Sequence, residues 1–349
     1  MDLSPTSPDD LAVFAADALE TDELKAFDAR LDGIESGGVG ARQADELGAW
    51  REVLGGLAAT AVEEPPVGLR ERMLDAALAK RDIGAPMGEV EDIPANEAYR
   101  RTIAALAELL VDLGPAEWDA PTIEGWTVKG LVTHLVAVEE YFGRQLGLWP
   151  LEIDEALEAD HLGMTREFVT AWSERPAAEV LARWQELTSA ITSHLAGLDR
   201  AAGRQPFHFH FLDTSLSTVL ITRVFEVWTH DEDIRRATGR AASAPDAARL
   251  RRMSRIAVPS IPLGLAVAGA PAPGRTARIV LTGQGGGTWD QALGWGETAG
   301  VPDATVVLDV VDYCRLAARR LEPAAIAVSV EGDEVLARQI LAGAGVFSA

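Results

Sequence analysis

Two side chains of metal-binding type, Glu226 and His230, are four residues apart in a segment whose apolar pattern predicts a helix over 215–238. That spacing puts a carboxylate and an imidazole on the same helix face, one turn apart. A third candidate, His134, lies on another predicted helix, which begins after Gly125-Trp126-Thr127. Two imidazole nitrogens and one carboxylate oxygen are the ligand set of an open zinc site, whose fourth position is left for water or substrate. The pattern therefore predicts metal chemistry more firmly than it predicts a substrate.

A purely structural interpretation of these three residues stays open beside the metal site. They flank apolar positions of their helices, and polar groups at the edge of an apolar stripe need partners. A buried, hydrogen-bonded His134 and an ion pair between Glu226 and His230 would supply those partners without any metal.

Composition narrows the classes of partner. The chain has 349 residues and a net charge of -23, so it lacks the surplus of Lys and Arg that binding to nucleic acid or to an anionic membrane requires. A basic protein partner is compatible with that charge. The single cysteine, Cys314, excludes an internal disulfide and a cysteine-based zinc finger. We expect a cytoplasmic protein, because the first residues do not resemble a signal peptide and prolines interrupt the longest apolar stretch, 256–270.

The elements that must position the three candidates form a predicted helical bundle. Residues 1–82 predict four short helices, and residues 83–95 have the glycine, proline and acid content of a linker. Residues 96–240 contain apolar residues at spacings of three and four. The four long helices predicted there cover 97–113, 128–146, 176–198 and 215–238. Such helices are typical of an up-and-down bundle with functional side chains at one end of its core.

The last part of the chain, 246–349, mixes predicted strands with helices and indicates an α+β module. The predicted strands cover 277–281, 288–293, 305–308 and 326–330, and the helices 246–258, 311–321 and 334–341. The glycine-rich stretch 283–287 lacks the Lys-Ser/Thr of a phosphate-binding loop, so it predicts a turn between strands. The fold class is therefore multidomain and mainly α, with a C-terminal α+β domain.

Two separated segments carry a family resemblance. The first is Gly125-Trp126-Thr127-Val128 with Leu131-Val132-Thr133-His134-Leu135, and the second reads Arg-Val-Phe-Glu-Val-Trp-Thr-His-Asp-Glu-Asp over 223–233. Both resemble the metal-binding domain of mycothiol-dependent maleylpyruvate isomerases and the wider DinB-like bundles. The resemblance implies that His134, Glu226 and His230 hold zinc, and it places a family Arg and a family Asp at Arg223 and Asp233.

The resemblance also implies a reaction. Bound Zn2+ lowers the pKa of a coordinated thiol, and the thiol of mycothiol then attacks a small electrophilic substrate. We therefore expect an isomerase or S-transferase that uses Zn2+ and this low-molecular-weight thiol. Arg223 and Asp233 are the candidate catalytic residues. Asp233 either orients His230 or is a solvated acid, and Arg223 either pairs with Glu226 or anchors an anionic substrate. His208 and His210 alternate with phenylalanines, which predicts a short extended segment in the loop before the last bundle helix. Both histidines are expected at the mouth of the bundle, and the alternative is that they line the pocket or supply an extra ligand.

Residues 1–82 resemble the small helical domain of anti-sigma factors through Leu-Ala-Val-Phe-Ala-Ala-Asp-Ala-Leu at 11–19, Phe-Asp-Ala-Arg-Leu at 27–31 and Leu-Arg-Glu-Arg-Met-Leu at 69–74. Zinc-binding members have one His and two Cys near the end of the second helix, but the matching stretch 30–37 has neither. A zinc-linked thiol switch is thus excluded there. The resemblance implies a sigma factor as an alternative partner, in a cytoplasmic regulator that uses the bundle as a sensor. A helical cap packed on the bundle is the structural alternative.

Residues 246–349 resemble the sterol-carrier-like domain that is often fused to the isomerase bundle, in order and length more than in sequence. By that resemblance this domain shapes or covers the pocket of the bundle. A carrier of a lipid or another small ligand is the third function that the sequence suggests.

Overall fold

The computed structural model describes residues 89–150, 161–199, 201–209, 212–294, 296–297 and 299–347. The anti-sigma-like segment 1–82, and with it the proposed contact with a sigma factor, lies outside the described residues. So do His210 and residues 83–88 of the predicted linker. All described residues belong to the unit Ala79–Ala349.

Five helices form the first part of the described chain. They are α1 (Ala95–Val111), α2 (Val128–Gln145), α3 (His161–Ala171), α4 (Ala177–Ala196) and α5 (Leu216–Ala237). The four predicted bundle helices are confirmed, with ends within two residues of the expected positions. Helix α3 is not among the four predicted bundle helices and lies between those predicted at 128–146 and 176–198. Its 11 residues pack against α2, so tertiary contacts support a helix that is too short to be stable alone.

The connectivity of the bundle departs from the simple up-and-down order. Lys129 Nζ donates to the Ser173 carbonyl at 2.7 Å, which places the start of α2 beside the residues that precede α4. Asn96 Nδ2 donates to the Leu195 carbonyl at 3.0 Å, which joins the start of α1 to the end of α4. Helices α2 and α4 therefore run in the same direction, because α3 carries the chain back between them.

Apolar side chains from α1, α2, α4 and α5 fill the bundle interior. Fully buried examples from the four helices are Leu106, Leu131, Leu135, Trp184, Ile191 and Val224. A hairpin of β1 (Pro206–Phe209) and β2 (Leu212–Ser215) precedes α5, in a segment expected to be a loop with a short extended part.

The C-terminal part is the expected mixture of helices and a sheet. It consists of α6 (Ala247–Ala257), α7 (Ile261–Val267), β3 (Thr276–Thr282), β4 (Gly287–Ala292), β5 (Ala304–Asp309), α8 (Val310–Ala317), β6 (Ser329–Gly332) and α9 (Glu334–Gly343). The strand order is β4-β3-β5-β6, with β3 and β5 parallel and both outer pairs antiparallel.

Three details of this part bear on the sequence predictions. The turn predicted at 283–287 is present between β3 and β4. The last strand begins three residues later than expected, at Ser329, because Pro323–Ala325 form a 3-10 turn. The predicted helix 311–321 ends early, at Ala317, and Arg319 follows in a left-handed conformation with φ of 54°. The likeness to a sterol-carrier domain stays a prediction.

The C-terminal part packs against the bundle through α5. The rings of Phe225 and Phe347 stack with centroids 4.5 Å apart, and the hydrophobic core continues from the bundle into the sheet. Two consecutive acids of α5, Glu232 and Asp233, form ion pairs with Arg315 and Arg320. Among the described helices, none combines the length and the apolar composition that crossing a membrane requires.

Candidate metal centre

The three residues singled out in the sequence meet in the core of the bundle. His134 comes from α2, and Glu226 and His230 come from successive turns of α5. All are buried, with exposed fractions of 1%, 6% and 1%. One potential ligand atom from each lies within 4.8 Å of the other two. His134 Nε2 is 3.1 Å from Glu226 Oε1, and the two imidazole rings are nearly perpendicular with centroids 5.2 Å apart.

The Trp-Thr-Val segment positions His134. The Thr127 side chain accepts a hydrogen bond from the Gly130 amide at 3.2 Å, so Thr127 is the N-cap of α2. The ring of Trp126 stacks on the imidazole of His134 with centroids 5.2 Å apart. Trp126 thus covers one face of the imidazole of His134, and Thr127 caps the helix that carries His134.

Asp233 lies one turn after His230 on α5 and contacts its imidazole. His230 Nδ1 lies 3.3 Å from Asp233 Oδ2, while His230 Nε2 is buried and has no hydrogen-bond partner among the described residues. A proton on Nδ1 that is donated to Asp233 leaves the lone pair of Nε2 directed into the cluster. Burial lowers the pKa of His230 although Asp233 opposes this, so the neutral form that binds metals is favoured.

Asp233 is itself held by the C-terminal part of the chain. Arg320 Nη2 lies 3.0 Å from Asp233 Oδ2, and Arg236 Nη1 donates to Asp233 Oδ1 at 3.2 Å. Burial acts against the charge of Asp233, but His230 and Arg320 outweigh it and lower the pKa of this carboxyl. Asp233 is therefore an ionised, buried acceptor, which agrees with the interpretation that it orients His230 and not with a solvated acid.

Arg223 joins Glu226 to a second buried carboxylate. Its Nη1 donates to Glu226 Oε2, and its Nη2 donates to Glu139 Oε1 at 2.6 Å. The other oxygen of Glu139 accepts a hydrogen bond from the Tyr99 hydroxyl at 2.6 Å. The side chains of Arg223 and Glu139 are completely buried. Of the two roles considered for Arg223, the pair with Glu226 is present in the structure.

Sequence reasoning did not find Glu139 and Tyr99. The only local signal for Glu139 is an acid at a position where α2 is otherwise buried, between Val138 and Phe142. Tyr99 lies on the buried face of α1 and gives no such signal. The contacts of Glu139 with Tyr99 and with Arg223 depend on how three helices are placed in space.

His208 lies away from the three-residue cluster, on the β1–β2 hairpin. It is exposed, and its Nδ1 is 2.8 Å from Asp213 Oδ1. The neighbouring Phe207 and Phe209 contact the ring of Phe142 instead. The alternation of residues along β1 thus separates an exposed histidine from two phenylalanines that pack on the bundle.

The donor set fits a divalent cation of the zinc type. Both imidazoles offer a nitrogen and Glu226 offers an oxygen, which is the ligand set of open zinc sites. The unpartnered His230 Nε2 is the sharpest sign, because a buried polar atom without a partner is costly and a metal bond would satisfy it.

A family model supports the bundle resemblance. Residues 99–235 match the family model of the mycothiol maleylpyruvate isomerase N-terminal domain. The match spans α1 to α5 and contains the whole three-residue cluster. Two crystal structures, of the mycothiol-dependent maleylpyruvate isomerase and of a histidine-to-alanine variant of it, are similar to 68% of this chain and to 94% of theirs, with 16% identity and a TM-score of 0.47. No curated protein matches the chain.

Proposed function

We propose that the protein is a metal-dependent, mycothiol-using isomerase or S-transferase that acts on a small electrophilic substrate. One observation carries this proposal. The buried His134–Glu226–His230 cluster lies inside the segment that matches the N-terminal domain of mycothiol maleylpyruvate isomerases. The ligand set lies within the matched segment, and two independent observations on one segment support the proposal more strongly than either does alone.

Zn2+ is the metal that we assign to this ligand set. When bound, such a cation lowers the pKa of a coordinated thiol and so supplies a nucleophile at neutral pH. The residues of the chain prepare the site for that chemistry. His230 presents its unprotonated Nε2 because Asp233 lies at Nδ1, and burial keeps competing water from the three ligands.

In this proposal, Arg223 and Asp233 act through the ligands and not on the substrate. Arg223 pairs with Glu226, and Asp233 lies beside His230, so each fixes one ligand side chain. The guanidinium of Arg223 is already engaged by Glu226 and Glu139, and the carboxylate of Asp233 by His230 and Arg320. We therefore describe them as positioning residues.

A cobalt titration of the full chain tests the proposal without knowledge of the substrate. The protein is stripped of metal, reloaded with Co2+ and then titrated with mycothiol while its absorption spectrum is recorded. We expect one Co2+ per chain and, on addition of mycothiol, a new near-ultraviolet band from sulfur-to-cobalt charge transfer. Absence of Co2+ binding, or an unchanged spectrum with saturating mycothiol, would overturn the proposal.

Two histidine variants make the titration specific to the site. His134→Ala removes one candidate ligand and should abolish stoichiometric Co2+ binding. His194→Ala changes an exposed histidine on α4 and should bind Co2+ as the wild type does. Equal Co2+ binding by the two variants would show that the cation binds elsewhere.

A further inference from the structure

We propose that Glu139 is a positioning residue of the metal centre, whose carboxylate shares the charge of Arg223 and so leaves Glu226 with negative charge for the cation. This inference rests on the metal site of the proposed function. It concerns a residue that neither the sequence motif nor the three-residue cluster includes.

The arrangement of the buried charges carries the inference. Arg223 lies between two carboxylates, with Nη2 donating to Glu139 Oε1 at 2.6 Å and Nη1 donating to Glu226 Oε2. The side chains of Glu139 and Arg223 have no exposed surface, and that of Glu226 is 8% exposed. Water therefore contributes little to balancing these charges, and the balance depends on the three side chains themselves.

Charge counting shows what Glu139 changes. Two carboxylates and one guanidinium give a net charge of -1 around the ligand oxygen of Glu226. Arginine stays protonated in proteins, so without Glu139 its whole charge would act on Glu226 alone. The group would then be neutral, and Glu226 would be a poorer ligand for a divalent cation. Glu139 thus raises the affinity for the cation through Arg223, without contact to the cation.

Tyr99 holds Glu139 in the orientation that this role needs. Its hydroxyl donates to Glu139 Oε2 at 2.6 Å, so both carboxylate oxygens of Glu139 are engaged, one by Tyr99 and one by Arg223. Burial raises the pKa of Tyr99, and the negative charge of Glu139 adds to the effect. The hydroxyl therefore remains a donor and fixes the carboxylate.

A matched pair of substitutions on adjacent residues of α2 tests the inference. Glu139→Gln removes the shared charge. Glu140→Gln makes the same chemical change one residue later, at a partly exposed carboxylate paired with Arg144 at 2.7 Å and Arg183 at 3.4 Å. The affinity of the full chain for Zn2+ is measured by competition with a chromogenic chelator, with circular dichroism to verify folding. We expect Glu139→Gln to bind Zn2+ about 10- to 100-fold more weakly, and Glu140→Gln to bind as the wild type does.

A double variant separates charge sharing from a merely structural role. Glu139→Gln with Arg223→Gln removes one negative and one positive charge, so the net charge of -1 at Glu226 is restored. Because both partners of the Arg223–Glu139 pair become neutral, neither charge of that pair is left buried without its partner. We expect the double variant to bind Zn2+ at least about tenfold more tightly than Glu139→Gln, since close neighbours couple strongly. A structural role alone would predict no recovery.

Each outcome has a distinct meaning. Wild-type affinity in folded Glu139→Gln, or no recovery in the double variant, would overturn the inference while the metal site stands. If Glu139→Gln does not fold, the double variant decides alone. In that case, an affinity of the double variant for Zn2+ within about tenfold of the wild type supports charge sharing. A loss of affinity beyond about 100-fold overturns it. If the wild type binds no Zn2+, the proposed function and this inference both fail.

Discussion

The substitution Asp233→Asn probes how the C-terminal part of the chain supports the metal centre. Asp233 is 3% exposed and links His230 of the cluster to Arg320, which follows α8. Asparagine has nearly the same shape and keeps one acceptor oxygen, but it loses the charge. Two effects follow, one on the binding of Zn2+ and one on stability, and a neighbouring residue allows them to be separated.

The effect on binding follows from the His230 contact. Without the carboxylate at Nδ1, the imidazole is held less firmly with Nε2 toward the cluster. Loss of such a partner typically lowers metal affinity by about 10- to 100-fold, which corresponds to about 1.4–2.7 kcal/mol. The effect on stability follows from the ion pair with Arg320, whose charge is left without its buried partner. We expect a loss of about 1–3 kcal/mol in the free energy of unfolding of the metal-free protein.

Glu232→Gln is the matched control. Glu232 precedes Asp233 on α5, is 5% exposed, and pairs with Arg315 at 2.7 Å in the same contact between the bundle and the C-terminal part. Among the described residues its side chain bonds to Arg315 and to none of the three candidate ligands, so its substitution should cost similar stability and leave Zn2+ affinity unchanged. Urea unfolding of the metal-free variants and chelator competition measure the two quantities. Equal Zn2+ affinities in the two variants would refute the role assigned to Asp233.

Three further outcomes are expected. Burial raises the pKa of Cys314, so this thiol should resist a thiol-specific reagent in the native protein and react after unfolding, and rapid native labelling would contradict its placement. Gly285→Ala should destabilise the protein by more than about 1 kcal/mol, because φ is +88° and the new Cβ would lie 2.4 Å from the Ala247 carbonyl oxygen. Gly274→Ala, at a φ of +75° with no atom within 4 Å of the new Cβ, should cost less in the same urea experiment. Saturating Zn2+ at about 1,000 times its dissociation constant should stabilise the folded state by about 4 kcal/mol, seen as a higher melting temperature that a chelator reverses, and no shift would argue against the site.

Local sequence predicted the long helices well. Apolar residues at spacings of three and four mark one face of α1, α2, α4 and α5, and polar caps mark two of the starts. Thr127 caps α2 and Ser215 caps α5, each by accepting a hydrogen bond from an amide three residues later. These signals depend only on neighbours within a turn, so a sequence displays them directly.

Elements that depend on tertiary contacts were harder to predict. Helix α3 has 11 residues and packs on α2, and without that contact its sequence resembles a loop. Its presence reverses the chain and makes α2 and α4 parallel. No local pattern near residues 161–171 indicates that change of topology.

The sequence by itself determined which side chains could bind a metal and which helices carry them, because residue type and helical spacing are local properties. Only the tertiary structure decided how those side chains are supported. Glu139 lies 84 residues from Arg223, and Arg320 lies 87 residues from Asp233. Ion pairs across such separations form because packed helices exclude water and bring the charges within hydrogen-bond distance, and a linear sequence does not record which distant charges will meet.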